Sequence, residues 1–240
     1  MIQFFRKIRQ KLLSENKLIR YLIYAVGEII LVVIGILIAL AINNNNEAKK
    51  TKKFEYQILK DIESAIGGNL WQMEMGLRCS KEGIQSVDII HKHFDNEIPY
   101  NDSLDIHFSR SLKWCSPVLN NPGYESLKVY GRNLITNDSI RSALNIYDVG
   151  WIETLGQRQE DYFYITAAPQ LTELFEKVAM RTTMKPFNYK ELRTSRAYIS
   201  ILNTSKANRQ DQLRYYEIWN EDLIILKEMI QKELKKNNAL

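Results

Sequence analysis

A long apolar stretch from Tyr21 to Ile42 constrains this chain more than any other feature. It is 22 residues long, and at about 1.5 Å of rise per residue a helix of that length crosses a hydrocarbon core of roughly 30 Å. The stretch, YLIYAVGEIILVVIGILIALAI, therefore predicts a transmembrane helix. The alternative is a cleaved signal peptide, because the part after Glu28 ends in Ala39-Leu40-Ala41, which is typical of a cleavage site. The 20-residue basic leader before Tyr21 favours an uncleaved signal anchor.

One carboxylate, Glu28, lies inside this apolar stretch. An acid near the middle of a membrane helix costs about 2.5–3.5 kcal/mol, so it indicates a functional site. Glu28, Gly35 and Ala39 are separated by 7 and 4 residues and share a narrow stripe of the helix. Gly35 and Ala39 form a small-xxx-small pair, so we predict that this stripe is a transmembrane interface with another helix. The alternative is a Glu28 that reaches the N-terminal headgroups or is simply protonated.

Basic residues flank the stretch on both sides, six before Tyr21 and four between positions 49 and 53. This weak excess predicts an N-terminus in the cytoplasm and a C-terminal part in the periplasm. The leader repeats apolar residues at Ile2, Phe5, Ile8 and Leu12, the pattern of a helix lying in the membrane interface. A solvated basic tail is the alternative for the leader.

Two segments of the chain resemble the bacterial membrane-protein family catalogued as domain of unknown function 6090. The run FFRKIRQKLLSENKLIRYLIYAVGEIILVVIGILIALAINN resembles its N-terminal signature, and GYESLKVYGRNLITNDSIRSALNIYD resembles a second motif. After the span the family typically has Gln and a Trp, where this chain has Ala41 and Asn45. The resemblance implies a single-span protein with a helical extracytoplasmic domain, and it implies no activity.

Beyond the span, apolar residues at helical spacing predict that the membrane helix continues to about Phe94, with a kink or break at Gly67-Gly68. Short helices are predicted at 102–115, capped by Asp102 or Ser103, and at 124–130. Longer helices are predicted from about 139 to 179, interrupted at Pro169, and from 189 to 234. We therefore expect an all-α fold: one N-terminal transmembrane helix continuing into an antiparallel helical bundle with a short helical hairpin insertion. The domains would be the leader helix 1–20, the transmembrane helix 21–42 and the extracytoplasmic bundle 43–240.

The chain has two cysteines, Cys79 and Cys115. In an oxidising compartment they could form a disulfide between the first helix and the short hairpin, which would stabilise the fold by about 2–4 kcal/mol. Two buried free thiols are the alternative.

The sequence favours no catalytic, metal or nucleic-acid site. His91 and Asp95 are one helical turn apart, as are His93 and Glu97. The two pairs face different sides of the helix, and the spacing fixes no third metal ligand, since His107 is only nearby in sequence. No catalytic signature occurs, so we expect no enzyme, metal or cofactor. A helix-turn-helix reading of residues 124–148 fails because Arg141 is the only basic residue after Ser139 there.

These patterns predict a membrane-anchored interaction or scaffold protein. Its partners would be the lipid bilayer and either further copies of itself or another membrane protein. Two alternatives stay open: an extracytoplasmic sensor or ligand-binding bundle, and a proton-linked component of an energised membrane complex in which Glu28 titrates. The many aromatic residues, such as Tyr162, Phe163 and Tyr164, fit either core packing or a ligand surface.

Overall fold

The computed structural model describes residues 18–148 and 151–238. Its contacts divide the chain into two compact units, one ending at Phe54 and one beginning at Glu55. Most of the predicted leader helix, 1–20, lies outside the described residues.

The first helix, α1, runs from Leu18 to Asp95. The prediction that the apolar stretch continues into a long first helix is confirmed, and α1 runs through Gly67-Gly68 without a break. The neighbours Ile66 and Asn69 are buried, at 0% and 3% exposure. Tertiary packing of these side chains on either side of the glycines outweighs the low helix propensity of the pair.

Two short helices follow, α2 from Leu104 to Leu112 and α3 from Pro122 to Tyr130. Neither Asp102 nor Ser103 caps α2, contrary to the prediction, because Ser103 already has helical backbone angles. The side chain of Asn101 takes that place and accepts a hydrogen bond from the Ser103 N–H at 3.0 Å. Helix α3 begins two residues earlier than predicted.

Both ends of α3 follow from its sequence. The Asn121 side chain accepts a hydrogen bond from the Tyr124 N–H at 3.0 Å, and Pro122 occupies the first turn. Gly131 closes the helix with φ +93°, and its N–H donates to the Leu127 carbonyl at 2.9 Å.

The single helix predicted from about 139 to 179 is wrong, because this region is built from short pieces. They are α4 (Asp138–Ala143), a 3₁₀ turn (Leu144–Tyr147), α5 (Trp151–Asp161), a π-helical turn (Tyr162–Ala167) and α6 (Ala168–Leu174). Pro169 lies in the first turn of α6, directly after the π-helical turn, and the helical backbone passes through this position without the predicted interruption. The chain leaves the helix at Phe175, which forms an isolated antiparallel bridge with Pro186.

The last predicted helix is two helices, α7 (Tyr189–Thr194) and α8 (Arg196–Asn238). Ser195 has extended backbone angles, and its Oγ accepts a hydrogen bond from the Tyr198 N–H at 3.2 Å, so it ends one helix and caps the next.

Helix α8 lies antiparallel to the second half of α1. Asp88 pairs with Lys206, Lys81 with Glu217 at 3.7 Å, and Glu63 accepts from Gln231 at 2.8 Å. Residues that come later in α1 thus contact residues that come earlier in α8, so the two helices run in opposite directions. In the part of the chain that the structure describes, this pair and the short helices make an all-α fold, as predicted.

A buried apolar cluster fills the end of the bundle around α2. Its centre is an aromatic triangle in which the Phe108 and Phe175 ring centroids are 5.4 Å apart and those of Phe175 and Tyr198 are also 5.4 Å apart. The cluster also includes Val87, Ile90, Phe94, Leu104, Leu112, Phe163, Ala167, Leu171, Met184, Leu192, Ile201 and Leu202. It holds α2, α6 and α7 against the paired helices α1 and α8.

Helix α3 packs against α1 through a glycine. A Cβ added at Gly123 would lie 2.8 Å from the backbone nitrogen of Ile62. Since that contact is with backbone, no side-chain movement relieves it.

We expect Gly123→Ala to lower the free energy of unfolding by about 1–3 kcal/mol, because α3 must shift away from α1. Gly68→Ala is the matched control. Gly68 is an exposed helix residue with nothing within 4 Å of an added Cβ, and the change should stabilise by about 0.5–1 kcal/mol. Denaturant unfolding of the full chain measures both variants, and equal stability of the two would contradict the close packing of α3.

Candidate functional site

The predicted transmembrane stripe lies in an exposed part of α1. Among the described helices, α1 is long and apolar enough to cross a membrane, and none of its apolar window is buried. Ile23 and Leu31, for example, are both 65% exposed. Exposed apolar area on this scale is stable only when lipid or another helix covers it, so this helix fits a membrane anchor.

The stripe itself is open at its small residues. Gly35 and Ala39 are exposed, and a Cβ added at Gly35 would meet nothing within 4 Å. Glu28 differs, because it is half-buried and takes part in a polar interaction within the chain. Another helix could therefore reach the Gly35 and Ala39 backbone directly.

The second predicted pair, Cys79 and Cys115, is joined by a disulfide with its Cα atoms 5.6 Å apart. It links the last quarter of α1 to the non-helical residues that follow α2. These residues, Lys113, Trp114 and Cys115, are called the 113–115 segment below.

Arg209 of α8 also holds the 113–115 segment. Its side chain is 1% exposed. Nη2 donates to the carbonyl oxygens of Arg110 at 3.2 Å, of Ser111 at 3.1 Å and of Lys113. Nη1 lies 3.1 Å from the Cys115 Sγ. The guanidinium thus lies between the end of α2 and the disulfide.

Arg209 lies here because the C-terminal end of α2 requires hydrogen-bond donors and positive charge. The last carbonyls of a helix have no intrahelical donors and carry a partial negative charge. Arg209 supplies both donors and positive charge, and no carboxylate among the described residues forms an ion pair with it. Burial lowers the pKa of Arg209 to about 10, so the side chain stays protonated at neutral pH.

Helix α1 leaves room for this cation at Gly83. A Cβ at that position would lie 2.4 Å from Cζ of Arg209. On the other side, the Tyr216 hydroxyl donates to the Cys115 carbonyl at 2.9 Å. The 113–115 segment is therefore fixed by a covalent bond and by hydrogen bonds from two buried side chains of α8.

Beside this segment lies an open groove of two adjoining cavities, of about 360 Å³ and about 470 Å³. Both are lined by Lys113, Met180, Arg181 and Thr182. Arg110 lines the larger cavity and Lys177 the smaller. We call the surface formed by Arg110, Lys113, Lys177 and Arg181 the basic groove.

The histidines considered and disfavoured as metal ligands in the sequence do not form a metal site in the described structure. His107 Nδ1 lies 3.1 Å from the Ser86 hydroxyl, and burial, then Arg110 and His93, lower the pKa of His107. His91 Nε2 and His93 Nδ1 are buried without a hydrogen-bond partner. Over residues 18–148 and 151–238, no three His, Cys, Asp or Glu side chains group as metal ligands. That the protein uses no metal stays a prediction.

Neither Arg209 nor the basic groove was found from the sequence. The burial of Arg209 could have been predicted from helical spacing. It lies 7 residues after Leu202 and 7 before Tyr216, on the same helix face as these two residues, which are both 0% exposed. No sequence pattern indicates the basic groove, because its cations come from distant parts of the chain. Lys113 and Lys177, for example, are more than 60 positions apart.

The described chain is thus a helical bundle carried by a helix that fits a membrane anchor. Residues 28–102 match the model of a family of unknown function, DUF6090, which confirms the family resemblance over that part. The match begins at Glu28 and contains Cys79. No curated protein and no solved structure matches the chain.

We expect Arg209→Met to lower the free energy of unfolding by about 2–3 kcal/mol, because the buried carbonyls at the end of α2 lose their donor. Arg214→Met is the control, since Arg214 lies on the same helix and is exposed. Thermal and denaturant unfolding of the full chain compare the two. A loss of the same size in both variants would show that Arg209 has no special role.

Proposed function

We propose that this chain is a single-span membrane-anchored interaction protein without catalytic activity. It self-assembles, or joins a membrane complex, through its transmembrane helix. The observation that carries this proposal is the apolar part of α1, which is long enough to span a bilayer and has no buried residue in its apolar window.

The contact surface is the stripe of Glu28, Gly35 and Ala39. In lipid, helices associate through close van der Waals packing, which small residues permit, and through polar side chains. Gly35 and Ala39 let a second backbone approach, and Glu28 lies on the same side of the helix one turn or more away.

The location we propose is the bacterial cytoplasmic membrane, with the N-terminus in the cytoplasm and residues 43–240 in the periplasm. The excess of basic residues before the span supports this orientation. The Cys79–Cys115 disulfide supports it independently, because such bonds persist in oxidising compartments and are rare in the cytosol.

Gly35→Leu should dissociate the assembly, since leucine keeps two backbones apart. Gly27→Leu is a matched control. Gly27 is also a glycine with open space around it, and it lies about 80° around the helix from Gly35 at 3.6 residues per turn. The native mass of the nanodisc-held protein measures both variants. An oligomer that survives Gly35→Leu, or a monomeric wild type, would contradict assembly through the stripe.

Glu28→Gln separates assembly from proton-linked function. Glutamine keeps hydrogen bonding but cannot titrate. We expect Glu28→Gln to retain the wild-type mass, because the hydrogen bond is kept. Loss of a proton-dependent activity of the complex at unchanged mass would assign Glu28 the proton-linked role, and loss of the oligomer would contradict a hydrogen-bonding role in assembly.

A ligand-binding bundle is the second candidate function. The basic groove favours it, because this groove brings together four exposed cations from two parts of the chain. Ligand binding by the bundle and assembly through the span are compatible.

A further inference from the structure

The basic groove holds positive charge that the rest of the bundle does not explain. Residues 55–240 contain 23 Lys and Arg against 25 Asp and Glu, so this part of the chain is slightly acidic. Four exposed cations nevertheless line one groove: Arg110, Lys113, Lys177 and Arg181. The charge is therefore local to the groove.

None of these four side chains has an acidic partner in the described parts of the chain. Elsewhere on the bundle exposed cations do pair, as Lys81 does with Glu217 at 3.7 Å and Lys185 with Glu176 at 3.6 Å. The groove lining has one carboxylate, Glu82, and it forms no ion pair with the four cations. Their donors are free for an external anion.

The wall behind the groove adds to its positive field. The C-terminal end of α2 would normally present partial negative charge next to Arg110 and Lys113. Arg209 cancels it, because its guanidinium donates to the carbonyls of both residues from inside the bundle. The net charge behind these two groove cations is therefore positive rather than negative.

The groove is also held in place before any ligand arrives. The 113–115 segment is fixed by the disulfide and by Arg209. The opposite wall, residues 175–188, is fixed to α2, since Met184 N–H donates to the Asp105 carbonyl at 3.0 Å and the Ser109 hydroxyl to the Ala179 carbonyl at 2.8 Å. Little ordering cost remains for a bound anion.

We propose that the basic groove is a binding site for a small polyanion that carries phosphate groups. Arginine forks match phosphate oxygens in bidentate geometry, and lysine ammonium groups bind phosphate as point charges. Two of each line cavities of about 360 Å³ and about 470 Å³, which is the size range of small-molecule sites. Trp114 and Met180 supply an apolar part of the wall for the non-charged portion of such a ligand.

This inference deepens the second candidate function and does not depend on assembly through the span. The phosphate groups could belong to a soluble compound or to a lipid headgroup. Both sources present the same chemistry to the groove, so the test has one arm for each.

The test uses the full chain in nanodiscs of phosphatidylcholine. One arm titrates it with tripolyphosphate by calorimetry, and the other measures its co-sedimentation with vesicles containing phosphatidylglycerol. Arg110→Gln combined with Arg181→Gln removes two groove cations. Arg158→Gln combined with Arg196→Gln removes two exposed arginines that lie outside the groove.

We expect the groove pair to weaken binding at least about tenfold in the arm that shows binding, since each lost charge-assisted contact accounts for about that factor. The control pair should stay within about twofold of the wild type, and both pairs should melt like the wild type. Binding of tripolyphosphate alone identifies a soluble ligand, and binding of the vesicles alone identifies a headgroup. The proposal is overturned if the wild type binds neither probe, or if the two pairs of substitutions weaken binding equally. Neither result changes the native mass of the assembly, so the two proposals fail separately.

Discussion

The bundle depends on one buried charge, the guanidinium of Arg209. Desolvating a cation is expensive, and here the expense is offset by three carbonyl oxygens at the end of α2. Arg209 needs these carbonyl oxygens, and the carbonyl oxygens also need Arg209, because α2 cannot end inside the protein without hydrogen-bond donors for them. Gly83 is then required on α1 to leave room. One side chain thereby fixes α1, α2 and α8 relative to one another around the 113–115 segment.

The sequence predicted the parts of the fold that follow from local pattern. The apolar stretch, the long first helix and the all-α class could be predicted, because the spacing of apolar residues decides them. The predicted helix through residues 139–179 failed at its two ends, because residues 138–147 form separate short helices and the helical run 151–174 stops where Phe175 forms a bridge with Pro186. Helix α1 runs through Gly67-Gly68 without a break, since packing on both sides keeps it continuous.

The candidate sites divide in the same way. Glu28, Gly35, Ala39 and the two cysteines stand out from their local context in the sequence. The basic groove does not, because each of its cations looks like an ordinary solvated residue until the fold brings them together. Its field depends on Arg209, so the interaction that holds the bundle also prepares the surface to which we assign ligand binding. The proposed membrane contact and the proposed ligand site therefore belong to different units of the chain.

We propose a membrane-anchored bundle that is exported from the cytoplasm, and its 113–115 segment is fixed by a disulfide. The most direct test is the redox state of Cys79 and Cys115 in cells that express the full chain. Since these are the chain's two cysteines, acid trapping followed by alkylation and mass measurement reads the bond without ambiguity. We expect Cys79 and Cys115 to react with the alkylating reagent only after the disulfide has been reduced. Two thiols alkylated without reduction would contradict both the bond and the export of the bundle.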